Sequence, residues 1–483
     1  MKKLSLILIL IHILAASLAL AQNQKTVCSI TLNSSHEIEL FKKHLSPLDW
    51  KFVELVPRNE DPENQNWMDL ACKQKVTCDV LVVSGHFGGT FFGTSKYRLS
   101  TEELESKSCD ESCAGILHNP KEVFLFGCNT LAGKDKDHRT PEEYMQVLLS
   151  DGFTATQASQ IVSFRYSEFG DSYRNRMSQV FAKVPRIYGF SSVGPSGKTI
   201  EPLLNRYLDQ SKSDYKSMDT SNFASTNKNV KLFDSLKNTK IVQTSGSMLN
   251  LKNVTEKPYC YIKDAKRSHK QRISYIEYLF ETRSALNVLS HIQSYLHSIK
   301  ESWTSLNQED QNDFNNLTKN EKIKTQLLEV LKLKGDVYLP IKAHVLNTLN
   351  DLSFVNQEFY NKAFVDLLDL KQPMSNSRKD VLCSMNTSFQ IPSEAIPSER
   401  WNEMNFLVAV LCLKANNKDI TSKFIDMMFN HPDPAFRGTA VWYFEKVRSK
   451  DVSIYAQLMK VSRDDKDENV RKSAVMVMTA LTR

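Results

Sequence analysis

Glycine and proline are scarce in this chain. Together they number 30 of 483 residues, about half the share of an average globular protein, which excludes a collagen-like or linker-dominated chain. The shortage is uneven. Twelve of the 15 glycines lie between Gly85 and Gly197, and only Gly246, Gly335 and Gly438 come later. Glycine serves tight turns and close backbone approaches and is poorly tolerated inside helices. The front of the chain is therefore turn-rich, and the long remainder is expected to be helical.

An excess of one charge is missing too. Lys+Arg 62 against Asp+Glu 55 leaves +7 with no dense basic stripe, so no nucleic-acid partner is expected. Hydrophobic residues at 41% and charged residues at 24% exclude a wholly disordered chain. The length is about three times a ~150-residue domain, which predicts two or three folded units. One long apolar run exists. Lys2 and Lys3 precede a mostly apolar stretch from Leu4 to Leu20, closed by Ala19-Leu20-Ala21. A charged start, an apolar middle and small residues at a cleavage site describe a secretory signal peptide over residues 1–21, with an uncleaved anchor as the alternative. Its removal takes two lysines and leaves +5 (+7 − 2). The mature chain is expected to be secreted or periplasmic, with no integral membrane segment.

Nine cysteines in an exported chain permit disulfides, and the odd count leaves at least one thiol over. Cys72/Cys78 and Cys109/Cys113 are close enough in sequence to close small loops; each is otherwise an ordinary buried cysteine. Neither pair has a partner Cys-x-x-Cys or His pair at zinc-ligand spacing, and no metal or cofactor is expected. His118 and His138 flank Cys128 without ligand-type spacing and read as solvated loop histidines.

From Thr26 short apolar runs alternate with amphipathic stretches. Strands are expected at 26–32, 50–56, 78–84, 122–127 and 186–190, and helices at 35–45, 67–75, 141–149 and within 160–184. Thr140 and Glu143 stand at capping-box spacing, with Pro141 at the first helical position. The runs Val80-Leu81-Val82-Val83 and Val123-Phe124-Leu125-Phe126 are continuously apolar, as in parallel strands covered on both faces. The fold class is thus α/β, a doubly wound, mostly parallel sheet over residues 22–210, whose sites sit at the carboxyl ends of its strands. Residues 211–265 are polar and read as a linker or surface elaboration. Residues 266–483 are expected to be all-α, with long helices at 273–300 and 321–333. Near the end Asp433, Arg437 and Ala440 recur 34 residues later as Asp467, Arg471 and Ala474, with a fainter echo at Ile341-Lys342 and Val345. This Asp-x-x-x-Arg-x-x-Ala register resembles HEAT-like repeats, in which stacked helix pairs share one core and offer a surface to a protein partner.

Two strand-end motifs carry the chemistry. Val80-Leu81-Val82-Val83-Ser84-Gly85-His86 brings a histidine to the edge of a buried strand. Phe124-Leu125-Phe126-Gly127-Cys128-Asn129-Thr130 does the same for a cysteine, 42 residues later. Neighbouring strands lie about 4.8 Å apart, close enough for an imidazole to take a thiol proton and return it to a leaving amine. An apolar strand ending in His, then glycines, then an apolar strand ending in Gly-Cys resembles the caspase-like (clan CD) cysteine peptidases, which include caspases, gingipains, legumains and bacterial CHAT-type proteases. The resemblance covers residues 26–205. It implies a caspase-like sheet, a peptide or protein substrate, Cys128 as nucleophile and His86 as general acid/base. The family usually has Gly directly after the His; here Phe87 intervenes before Gly88 and Gly89, which bears on the oxyanion contact. A catalytically inactive relative, working as a binding module through its helical repeats, is the competing expectation. Gly194-Pro195-Ser196-Gly197-Lys198-Thr199 is similar to a phosphate-binding loop but has Ser192 where the first glycine is required; under the resemblance it helps to shape the substrate pocket.

Overall fold

The computed structural model describes residues 24–57, 66–133, 139–150, 153, 155–166, 172–194, 197–216, 241–246, 256–334, 338–368, 372–374, 378–379, 382–383, 396–414, 418–449 and 451–482. The expected signal peptide and His138 lie outside them. The chain forms two compact units, one from the described residues up to 138 together with 164–295, the other from 139–163 and 296–482.

The first unit is built on a six-stranded sheet. β1 (Lys25–Thr31), β2 (Trp50–Glu54), β3 (Val80–Ser84), β7 (Glu122–Phe126) and β8 (Arg186–Phe190) run parallel, and β9 (Ile241–Thr244) closes the edge antiparallel to β8. Their order across the sheet is β2-β1-β3-β7-β8-β9. β9 comes from the polar stretch 211–265, whose residues 217–240 and 247–255 lie outside the described ones. The unbroken apolar runs have their cause in this arrangement. Leu81, Val83, Val123 and Leu125 enter one core. Val80, Val82, Phe124 and Phe126 enter the other, with Ile38 and Phe41 of α1 (His36–His44) and Leu204 and Tyr207 of a later helix. Both faces are dry, so the middle of each central strand is apolar on both sides.

Three short strands, β4 (His86–Phe87), β5 (Thr90–Phe92) and β6 (Leu99–Ser100), form a separate antiparallel sheet directly after β3. α2 (Trp67–Lys73) precedes β3, and α3 (Thr101–Lys107) comes after β6. Within 160–184 one longer helix is expected and two elements form, Ala155–Tyr166 and α4 (Tyr173–Val180). Ser172 is extended and its hydroxyl accepts the Asn175 N–H, so a fresh N-cap starts the second. α5 (Glu201–Lys216) covers the sheet; after it come α6 (Pro258–Lys263), α7 (His269–Glu281) and α8 (Leu289–Glu301). The single helix expected over 273–300 is interrupted because Arg283 takes a left-handed φ of 58° and ends α7.

A buried polar network fastens residues 256–291 to α3 and α4. Arg176 donates to Glu105 from Nε at 2.6 Å and from Nη2 at 2.9 Å, and His291 Nε2 lies 2.8 Å from the same carboxylate. Lys257 Nζ donates to Ser108 Oγ at 3.0 Å and Val180 O at 3.3 Å, and lies 3.3 Å from His118 Nε2. His118 is thus buried, not solvated as its loop position suggests, because this lysine and the core close over it. Burial drives the Lys257 ammonium down to about 7, against the pull of Glu105, and burial with Lys257 drives His118 down to about 3.

In the second unit, α9 (Lys418–Asn430), α10 (Pro434–Lys446), α11 (Val452–Asp464) and α12 (Glu468–Leu481) include three close pairs, α9 with α10, α10 with α12, and α11 with α12. The 34-residue register has a physical meaning. Asp433 and Asp467 cap α10 and α12 by accepting N–H groups of the first turn. Arg437 Nη1 reaches the carbonyls of His431 and Pro432, and Arg471 Nη1 those of Asp465 and Lys466, six and five residues back in each case. Ala440 and Ala474 are fully buried where the helices meet. Arg437 also grips Asp465 of the next copy with two bonds of 2.8 Å, which holds that carboxyl below its ordinary range.

Two outcomes are expected. Asp465→Asn lowers stability at pH 7 by about 1 kcal/mol, since the pair is partly open to solvent. A carboxyl held low when folded stabilises above its unfolded value near 4 and loses that contribution as pH falls through its folded value, so wild type and variant converge in acid. Urea unfolding at pH 7 and pH 2.5 checks this; an equal gap at both refutes it. For Lys257 the slope has the same sign, but the shift is a cost that deprotonation removes. Between pH 7 and 10 the unfolded chain binds a proton that the native lysine has released, so stability rises with pH. Lys257→Met flattens that rise in urea midpoints at pH 7, 8 and 9, and unchanged slopes would refute the assignment.

Candidate active site

The chain leaves β1 for β2 on one side, then crosses back to β3 on the other. This reversal opens a crevice at the carboxyl ends of β1 and β3, the usual place for a site in such sheets. Both predicted residues lie beside it. β3 pairs with β7 in the register Ser84↔Phe126, and the Gly85 N–H donates to Phe126 O at 3.1 Å. Two residues beyond the ends of these adjacent strands stand His86, which opens β4, and Cys128. Gly127 shows how tightly the segments meet: a Cβ there would lie 2.8 Å from Phe87 Cβ and 2.9 Å from Gly85 O, on both neighbours of His86.

His86 is partly exposed. Its Nε2 lies 3.3 Å from Asn33 Nδ2, and its ring rests on Phe92 with 5.3 Å between centroids. Asn33 stands two residues past the end of β1. Its carbonyl accepts from Thr94 Oγ1 at 3.1 Å, and Gly93 packs so close that any Cβ would strike Asn33. Phe87, which stands where the resembled family has glycine, is a core residue: it is fully buried against Phe91 and Tyr173. The glycines behind it make the β4–β5 turn. Gly88 N–H donates to Thr90 O at 3.3 Å and Gly89 takes a φ of 88°, so here the glycines serve the hairpin.

Cys128 is also partly exposed, with Sγ 3.8 Å from Gly194 O. The turn that presents it is stitched at several points. Asn129 holds a φ of 63°, an uncommon value for a residue with a side chain, and its N–H donates to Ser192 O at 2.9 Å. The buried Thr130 hydroxyl faces Leu125 O and Gly127 O at 3.0 Å each and accepts the Phe190 N–H at 3.2 Å. Leu131 N–H then returns to Phe190 O. The Cys128 turn and the loop after β8 are therefore one hydrogen-bonded body.

The cysteines differ from the local pairing their spacing suggests. Cys28 bonds Cys78, Cys72 bonds Cys113, Cys109 bonds Cys260 and Cys383 bonds Cys412. Cys78 leads into β3 beside Cys28 of β1, and Cys72 on α2 faces the Cys113 turn, so the parallel fold overrides proximity along the chain. Cys128 is the ninth cysteine, outside all four bridges. Sequence reasoning missed three parts of the site: Asn33, just past β1; Glu37, in the first turn of α1; and the carbonyls of the Ser192–Gly194 loop. The signal for Asn33 is its offset from β1, the same two-residue step past a strand end that marks His86 and Cys128. In the similarity to a phosphate-binding loop, Pro195 and Ser196 lie outside the described residues, and the Gly197 N–H already donates to Glu37 Oε1 at 2.9 Å. Among the described residues no group of three or more His, Cys, Asp or Glu side chains could hold a metal ion.

No family model, curated protein or solved structure matches the chain.

Alkylation in denaturant without reductant is expected to label Cys128 alone. Non-reducing peptide mapping should recover the pairs 28–78, 72–113, 109–260 and 383–412. A 72–78 or 109–113 bridge, or a disulfide-bonded Cys128, would overturn the assignment.

Proposed function

We propose that the chain is an exported cysteine endopeptidase of the caspase-like kind, acting in the secreted or periplasmic compartment through Cys128 and His86. One observation carries the reading. Eight of nine cysteines are oxidised to disulfides, as an oxidising compartment favours, and the thiol outside them stands two residues past β7, with a histidine two residues past the neighbouring strand β3. The mostly parallel sheet with helices on both faces supports the family resemblance.

The chemistry comes from that pair. His86 accepts the thiol proton, and the Cys128 sulfur attacks the carbonyl carbon of the scissile peptide. The C–N bond then breaks as the imidazolium gives its proton to the leaving amine, leaving a thioester on sulfur. Water, deprotonated by His86, attacks the thioester; the C–S bond breaks, the carboxylic acid leaves and the thiol is restored. Asn33, with Nδ2 3.3 Å from Nε2, orients the ring. In the resting protein the thiol faces Gly194 O at 3.8 Å, a contact that attack on the substrate carbonyl replaces. We propose that the helical unit, with its Arg437–Asp465 link between repeats, is HEAT-like and serves a protein partner.

The test is labelling of the purified protein with a series of peptidyl acyloxymethyl ketones, comparing wild type with Cys128→Ala and His86→Ala. Labelling is expected to vanish in the first and to fall roughly 100-fold or more in the second. If Cys128 reacts no faster than a free thiol and His86→Ala changes nothing, the inactive binding module is the correct reading.

A further inference from the structure

Glu37 is a fully buried carboxylate at the start of α1, and the dyad chemistry does not use it. Its two oxygens look in different directions. Oε2 accepts from Ser84 Oγ at 3.2 Å, and Oε1 accepts the Gly197 N–H at 2.9 Å. Ser84 is the last residue of β3, two before His86. Gly197 belongs to the loop after β8, three residues beyond Gly194, whose carbonyl faces the Cys128 thiol. Gly197 holds a φ of +57° and lies over the start of α1, with Ser34 and His36 nearest to the place its Cβ would take. One buried acid therefore ties the strand that delivers the histidine to the loop that lies over the cysteine.

We infer that Glu37 is a positioning residue for the substrate crevice, and that Gly197, which it holds, and the described residues Ser191–Gly194 beside Cys128 form one wall of it; this rests on the peptidase reading. The physical reason is selective. A surface glutamate would gain little from either bond, but a carboxylate taken out of water needs both, and removing one partner leaves a strongly unfavourable buried charge. The loop is then set by the same group that anchors the end of β3. A peptide lying between His86 and Gly194 meets a wall already in place, and displacement of that wall by about 1 Å is enough to cost about 100-fold in rate.

Two probes separate positioning from mere folding. Iodoacetamide is small and reads the thiol alone; a peptidyl acyloxymethyl ketone must lie in the crevice. Glu37→Ala is expected to slow the peptidyl probe roughly tenfold or more while the iodoacetamide rate and its pH profile stay within about twofold. Glu37→Gln can still accept from Gly197 and donate to Ser84, so it is expected to restore most of the peptidyl rate. Amide hydrogen exchange of wild type and Glu37→Gln gives a readout without activity, and in Glu37→Ala the Gly197 amide should exchange faster. Equal peptidyl rates in wild type and folded Glu37→Ala overturn the inference, as does a parallel fall with both probes. If Glu37→Ala does not fold, Ser84→Ala replaces it: a slowed peptidyl probe with iodoacetamide unchanged supports the link, and unchanged rates refute it. If wild type is not labelled through Cys128, the peptidase reading is what fails, and the Gly197 exchange rate alone then decides whether Glu37 holds the loop.

Discussion

Parallel pairing of β3 with β7 is the constraint on which the site depends. The register Ser84↔Phe126 brings the two strands to their ends together, so the segments that carry His86 and Cys128 leave the sheet side by side. A slip of one residue would exchange the two faces of a strand and send Val80, Val82, Phe124 and Phe126 into the wrong core. The pairing is therefore enforced by hydrophobic burial along the whole strand, far from any chemistry. Gly127 adds a local condition: no side chain fits between Phe87 and Gly85 at that point.

Around this pair the molecule uses buried polar groups where apolar packing cannot specify direction. Glu37, Thr130 and Asn33 each join segments distant in sequence by hydrogen bonds from a buried or half-buried side chain. At the opposite end of the strands Glu122 is buried with the hydroxyls of Tyr188, Tyr207 and Tyr215, and burial raises its carboxyl above the ordinary range. The Glu105–Arg176–His291 network does the same for residues 256–291, with the Cys109–Cys260 bridge beside it. Such groups are costly unless fully partnered, which is why they fix position so sharply.

The repeat in the helical unit shows how far a sequence pattern reaches. Asp433/Asp467, Arg437/Arg471 and Ala440/Ala474 are visible as spacing, and each pair has one job in the structure: a cap, a clamp on its own loop, a close contact. The bond from Arg437 to Asp465 is not visible there, because it runs between copies. The same holds for the disulfides. Sequence proximity favours Cys72 with Cys78, but bond formation depends on Cβ approach in the folded chain.

By itself the sequence determined the five parallel strands, since a strand covered on both faces must be apolar through its middle, and it determined that a histidine and a cysteine stand just past two of them. It also determined that an odd number of cysteines leaves a thiol. Only the tertiary structure decided which cysteine that is, which residue holds the histidine ring, and which acid links β3 to the loop after β8. The first follows from bridges between residues 29 to 151 positions apart, the other two from contacts 53 and 160 positions apart. Local periodicity records how a segment meets the core; it carries nothing about which distant segment arrives opposite.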